Sequence, residues 1–91
     1  MQILQTNRFK KTVKKLDSNQ KKDLDKVVKE LIKNPTIGEA KKGDLSGIRV
    51  YKFKMNKQLA LLAYMFEEEK VILTLLALDS HQNFYRDLKG K

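Results

Sequence analysis

The hydrophobic period of this chain changes near residue 47, and that change limits the possible folds more than any other feature of the sequence. Before it, apolar residues recur at helical spacing. Phe9, Val13 and Leu16 stand at i, i+4, i+7 among Lys10, Lys11, Lys14 and Lys15, which predicts one amphipathic helix of about three turns. Thr6 and Asn7 just ahead are both good N-cap types. Asp17-Ser18-Asn19 breaks this helix and offers new caps. Leu24, Val27, Val28, Leu31 and Ile32 then form the strongest helical stripe of the chain, and Pro35, its only proline, closes it, since the residue before a proline is pushed out of the helical region. So tight a connection predicts an antiparallel helical hairpin. Residues 34–47 hold the glycines Gly38, Gly43 and Gly47 and read as a loop.

Beyond the loop, Ile48 to Met55, Leu59 to Phe66 and Val71 to Leu78 are strand-like runs, separated by Asn56-Lys57 and by Glu67-Glu68-Glu69. Connections this short predict hairpins and an antiparallel meander. The last two runs are apolar on both parities, so both faces of those strands need cover. The helical hairpin covers one face. The tail is the element left for the other, with Phe84 and Leu88 at i, i+4 in a short C-terminal helix between His81 and Lys89. Gln2 to Gln5 adds a short apolar-centred strand at the start. Helices in one run and strands in another place the chain in the α+β class, ordered β-α-α-β-β-β-α. At 91 residues, with no linker or internal repeat, a single domain over 1–91 is expected.

Charge narrows the function. Lysine plus arginine is 20 against 11 acids, a net +9. The excess is uneven: ten bases against four acids over 1–34, six against two over 35–66, and four against five over 67–91. Such a balance attracts nucleic acid, an anionic membrane or an acidic protein partner, although lysine-rich helix faces also serve solubility alone. Cysteine is absent and histidine occurs once, which removes disulfides, thiolate nucleophiles and a structural zinc site. The apolar runs of eight residues are too short to span a bilayer as helices. The N-terminus lacks the basic start and apolar stretch of a signal peptide. A soluble, cytoplasmic protein with no metal, no cofactor and no membrane partner is expected.

Two stretches carry a family likeness: GDLSGIRVYKFKM, Gly43 to Met55, and LALDSHQNFYRDLKG, Leu76 to Gly90. In the first, a Gly-x-Arg element leads into alternating apolar and basic residues. The second resembles the last strand and tail of the RelE and HigB-like toxins. With the element order and basic character, the chain resembles the RelE/ParE superfamily of toxins from type II toxin–antitoxin pairs, in its RelE/HigB/YafQ-like branch. The resemblance implies the RelE-like fold, an antiparallel sheet with the helical hairpin on one face. It also implies a cognate antitoxin as partner and ribosome-dependent, metal-independent cleavage of mRNA, with basic helices touching ribosomal RNA. The alternative within the superfamily is a ParE-like inhibitor of DNA gyrase with no nuclease residues. A basic RNA-binding module without catalysis is a third reading, outside the toxins.

Metal-independent RNA cleavage needs a base for the 2′-hydroxyl, an acid for the leaving 5′-oxygen, and fixed positive charge at the phosphate. His81, with an ordinary pKa of about 6.5, suits either proton transfer. The resemblance puts it where the YafQ-like branch has a catalytic histidine; otherwise it is a polar residue opening the tail helix. Tyr85 falls on the same helical face, four residues on. It resembles the tail tyrosine of RelE, and either acts with cationic help, stacks on a base, or packs beside Phe84. Arg49 matches the family's Gly-x-Arg arginine and offers a planar fork to a phosphate. It shares strand parity with Tyr51, Phe53 and Met55, whereas Lys52 and Lys54 have the other parity. The three face one site only if a bulge or strand end re-aims one of them.

Arg49 is the expected member of the site, with His81 and Tyr85. Lys52 and Lys54 are phosphate contacts at the rim or solvated edge charges. Lys41 and Lys42 are point charges for a polyanion. Arg86 contacts phosphate or pairs with Asp87, Asp79 or the Glu67 to Glu69 turn. Asp79 stands near a position where RelE has an arginine, which moves weight onto the histidine. The glycine loop lacks the spacing of a P-loop and precedes a strand.

Overall fold

The computed structural model describes residues 1–80. The expected C-terminal helix lies outside the described residues. Strand β1 (Gln2–Gln5) is followed by helices α1 (Asn7–Lys14) and α2 (Ser18–Lys33) and by a two-residue strand β2 (Glu39–Ala40). A 3-10 turn (Gly43–Leu45) then leads to β3 (Arg49–Met55), β4 (Gln58–Glu67) and β5 (Ile72–Ser80).

The helices start where capping residues satisfy their first N–H groups. Thr6 Oγ1 accepts from Phe9 N at 3.1 Å. Asp17 accepts from Gln20 N at 2.8 Å while the Gln20 side chain accepts from Asp17 N at 3.0 Å, a reciprocal capping box. α1 is shorter than its apolar spacing predicts. Lys15 N and Leu16 N bond back three residues, to Thr12 O and Val13 O, so the last turn tightens and Leu16 joins the core from beyond the helix end.

The sheet order is β1-β5-β4-β3-β2. β3, β4 and β5 form the expected meander and β2 adds an antiparallel pair on β3. Two features differ from expectation. β1 runs parallel to β5, Gln2 opposite Ile72 through Gln5 opposite Leu75, so the sheet is mixed rather than wholly antiparallel. A four-residue strand has no local cue to its partner, and its direction is set by where the helices return the chain. Part of the glycine loop also pairs as β2.

The β3–β4 turn is Asn56-Lys57, both at positive φ (52° and 71°), the backbone of a two-residue hairpin that follows the sheet twist. Asp23 of α2 clamps it, Oδ2 accepting from Asn56 N at 2.8 Å. Val71, expected to open the last strand, instead closes the preceding turn with φ 55°, a costly conformation for a β-branched residue.

Both helices cover one face of the sheet. Phe9, Leu24, Val27 and Leu31 pack there with Ala60, Leu62, Tyr64, Leu73, Leu75 and Leu78. On the other face, Val50, Leu61, Ala63 and Ala77 form a second, smaller cluster.

Candidate nucleic-acid interface

Strand alternation in β3 sorts its side chains. Tyr51, Phe53 and Met55 pack toward the helices, whereas Val50 belongs to the opposite cluster. Lys52 and Lys54 share the parity of Val50 and are exposed on that face, which carries no helix among the described residues. Cross-strand register places Lys52 opposite Leu61, and Leu61 opposite Asp79; Lys54 lies opposite Leu59. A lysine and an aspartate therefore flank a leucine that is only 1% exposed.

Asp79 reaches this face through a bulge. Ala63 pairs with Ala77, but Tyr64 pairs with Leu75, so Leu76 has no partner and the parity of β5 flips there. Leu73 and Leu75 before the bulge, and Leu78 after it, all face the helices, while Ala77 joins the lysine side. Thr6 holds the bulge. Its hydroxyl donates to Leu76 O at 2.6 Å and its N–H to Leu75 O at 3.1 Å. Thus the residue that caps α1 also fixes which face the end of β5 presents.

Arg49 is elsewhere. Its Nη1 donates to Gly38 O at 2.8 Å and to Thr36 O at 3.2 Å, on the helix-bearing side where its cross-strand neighbour is Tyr64. Tyr64 is fully buried. Its hydroxyl donates to Pro35 O at 2.8 Å and accepts from Gly38 N at 2.9 Å. Burial pushes the Tyr64 phenol above its usual pKa, a rise opposed by the Gly38 N–H and by the Arg49 charge. A Cβ on Gly38 would lie 2.6 Å from that hydroxyl, so the loop closes here only on glycine. Strand parity had allowed Arg49 and the two lysines one common site only through a bulge or a strand end; the bulge is in β5, β3 alternates without interruption, and the guanidinium clasps the 35–38 backbone on the face opposite Lys52 and Lys54.

The clasped loop leads into β2, whose Glu39 lies opposite Val50 and therefore on the lysine side. Lys41 Nζ meets Glu39 Oε1 at 2.9 Å. This hydrogen bond and the Lys41 charge, with a contribution from Lys52, hold the Glu39 carboxyl below its ordinary pKa. Of the residues singled out by sequence, the structure places Lys52 and Lys54 on one sheet face, with Lys41 beside Ile48 at the far end of β3 and Asp79 beside Leu61. Lys42 is exposed just before the 3-10 turn. His81, Tyr85 and Arg86 lie outside the described residues. Glu39 was missed, because a two-residue strand has no periodicity to reveal it. Among the described residues no group of three or more metal-ligating side chains occurs, and no helix is long and apolar enough to cross a membrane. The arrangement offers exposed lysines along one sheet face, suited to a phosphate backbone.

Such a mixed five-stranded sheet with two helices on one face matches the fold of RelE-type toxins. The chain is similar to the toxin in the intact E. coli RelBE toxin–antitoxin complex, at 24% identity over 87% of this chain and 94% of that one, with a TM-score of 0.70. It is similar to isolated E. coli RelE, at 22% identity over 97% and 95%, TM-score 0.68. It also resembles the conserved hypothetical protein HP0892 of Helicobacter pylori, at 23% identity over 92% and 98%, TM-score 0.57. No curated protein sequence matches it. The family model of the ParE-like toxins of type II bacterial toxin–antitoxin systems matches residues 3–89. The chain belongs to that family.

Proposed function

We propose that this toxin is a metal-independent endoribonuclease that cuts mRNA on the ribosome and is silenced by a cognate antitoxin. The observation that carries the reading is the sheet face opposite α1 and α2, where Lys52 and Lys54 stand with the Glu39–Lys41 pair at the rim and Asp79 across Leu61. Strand β5 ends at Ser80, and His81 is the next residue of the chain. In the proposed step the 2′-oxygen attacks the adjacent phosphorus and the bond to the 5′-oxygen breaks. A base takes the 2′-hydroxyl proton and an acid returns one to the leaving oxygen, leaving a 2′,3′-cyclic phosphate and a 5′-hydroxyl.

His81 serves one proton transfer, and Tyr85 orients the base or shares the proton work. Lys52 and Lys54 supply the fixed positive charge that sequence reading gave to Arg49, which acts from beneath by holding the 35–38 loop. Lys41, Lys42 and Arg86 hold flanking phosphates. The antitoxin of the RelBE complex is the model for the silencing partner.

Transcript ends mapped after brief induction test this reading. Wild type is expected to leave 5′-hydroxyl ends inside coding regions. His81→Ala is expected to cut about 10²–10⁴-fold more slowly, the usual weight of one acid–base group. A purified His81→Ala variant that cuts message on ribosomes at the wild-type rate would remove the histidine from the mechanism. The family description favours a second reading, a ParE-like block of DNA gyrase. Induction would then give DNA breaks with gyrase trapped on them and leave messages intact.

A further inference from the structure

The two edges of the sheet are finished differently. At one, β2 is two residues long and carries the Glu39–Lys41 ion pair beside it; shortness and charge are the usual ways a protein keeps an edge from pairing. At the other, β1 runs for four residues, Gln2–Gln5, and among the described residues no strand lies on its outer side. It has no proline. From Gln2 to Asn7 there is no charged side chain, in a chain of 91 residues with 20 lysines and arginines.

The bonds to β5 sort the backbone groups of β1. Gln2 N and Thr6 N donate to Val71 O and Leu75 O, each at 3.1 Å, so Ile3 and Gln5 turn their N–H and C=O groups outward. The side chains alternate too. Ile3 packs toward the helices, and Leu4 lies on the other face, opposite Thr74, which is itself opposite Met65. Leu4 is 41% exposed and Met65 36%. The edge therefore offers hydrogen bonds and an apolar side chain, with no charge for an acidic or a basic partner to meet.

We propose that β1 pairs with β1 of a second copy of this chain, antiparallel about a twofold axis between the two Leu4 residues, joining two sheets into one. A slip of one residue would carry Ile3 to the wrong face. Leu4 opposite Leu4 keeps the faces aligned and sets each Ile3 opposite Gln5 of the other copy, so the outward groups of both strands bond. Charge favours the same occupant. Two copies at +9 each repel, and an uncharged edge is where they approach at least electrostatic cost, whereas an acidic segment gains nothing there. A contact this small makes the pairing weak and concentration-dependent. The pairing does not rest on the nuclease reading.

The chain has no cysteine, so one introduced thiol reports the contact. In an antiparallel pair without mutual hydrogen bonds the Cα atoms stand about 4.5 Å apart, within disulfide reach. Under mild oxidation Leu4→Cys is expected to form a covalent dimer about tenfold faster, or more, than Met65→Cys, which has similar exposure on the same face but lies two strands in. In sedimentation equilibrium the wild-type mass should climb from one chain toward two with concentration. Leu4→Lys sets like charges directly opposite each other and should stay at one chain, with unchanged circular dichroism. Equal cross-linking of the two cysteine variants would mean random collision and overturn the proposal. So would a wild type that sediments as one chain up to about 1 mM. If the Ile3 and Gln5 amides then gain exchange protection only in the antitoxin complex, the edge belongs to that protein instead.

Discussion

Tyr64 shows how one buried hydroxyl organises a loop twenty-six residues away. Its oxygen bonds both Gly38 N and Pro35 O, and Arg49 closes the same turn from the other side. Tyr64→Phe leaves both backbone groups without that partner and is expected to cost about 1–3 kcal/mol, read from denaturant unfolding. The pH dependence has a definite sign. The folded Tyr64 pKa is raised above 10.0, so the neutral phenol's stabilisation is complete below that value and is lost as pH climbs through the higher folded one. The stability gap between wild type and Tyr64→Phe should therefore stay constant below pH 10.0 and narrow as pH rises from there through the higher folded value. Val71 lies at φ 55° and is exposed. Val71→Asn, a residue that tolerates this region, is expected to add about 1 kcal/mol and raise Tm by roughly 4–8 °C.

At the scale of elements, the bulge in β5 depends on a residue of another element. Thr6 caps α1 through its oxygen and donates the same hydroxyl's proton to Leu76 O. Thr6→Val removes both bonds at nearly constant shape and should destabilise by about 1–2 kcal/mol, with faster hydrogen exchange around Leu76 and Ala77. Thr6→Ser keeps the hydroxyl and should restore slow exchange there. Equal exchange in the two variants would show that the bulge holds itself. The meander between Arg49 and Leu78 was legible from period and turn spacing. The bulge was not, because a run apolar on both parities reads the same with or without an inserted residue.

For the whole molecule, charge on its two sides is expected to act independently. Under the proposed function, replacing Lys52 and Lys54 by Gln, or replacing Lys22, Lys26, Lys29 and Lys33 of α2 by Gln, is expected to lower the efficiency of message cleavage. The two effects should add within about 0.5 kcal/mol when the sets are combined. A larger coupling, measured by a double-mutant cycle, would mean that both sides contact the same strand.

The sequence by itself determined the first strand, the two helices ahead of the meander, the three strands of the meander, and the fact that Arg49 and Lys52 differ in parity. These are local properties, set by side-chain spacing against a fixed backbone repeat. Only the tertiary structure decided that β1 runs parallel to β5, that Leu76 flips Asp79 to the lysine face, and that the Arg49 guanidinium closes a loop instead of facing that surface. Each depends on hydrogen bonds between residues far apart in the chain, Thr6 to Leu76 being seventy positions apart. Such bonds form only once packing has brought the partners together, and they leave no imprint on the spacing of their neighbours.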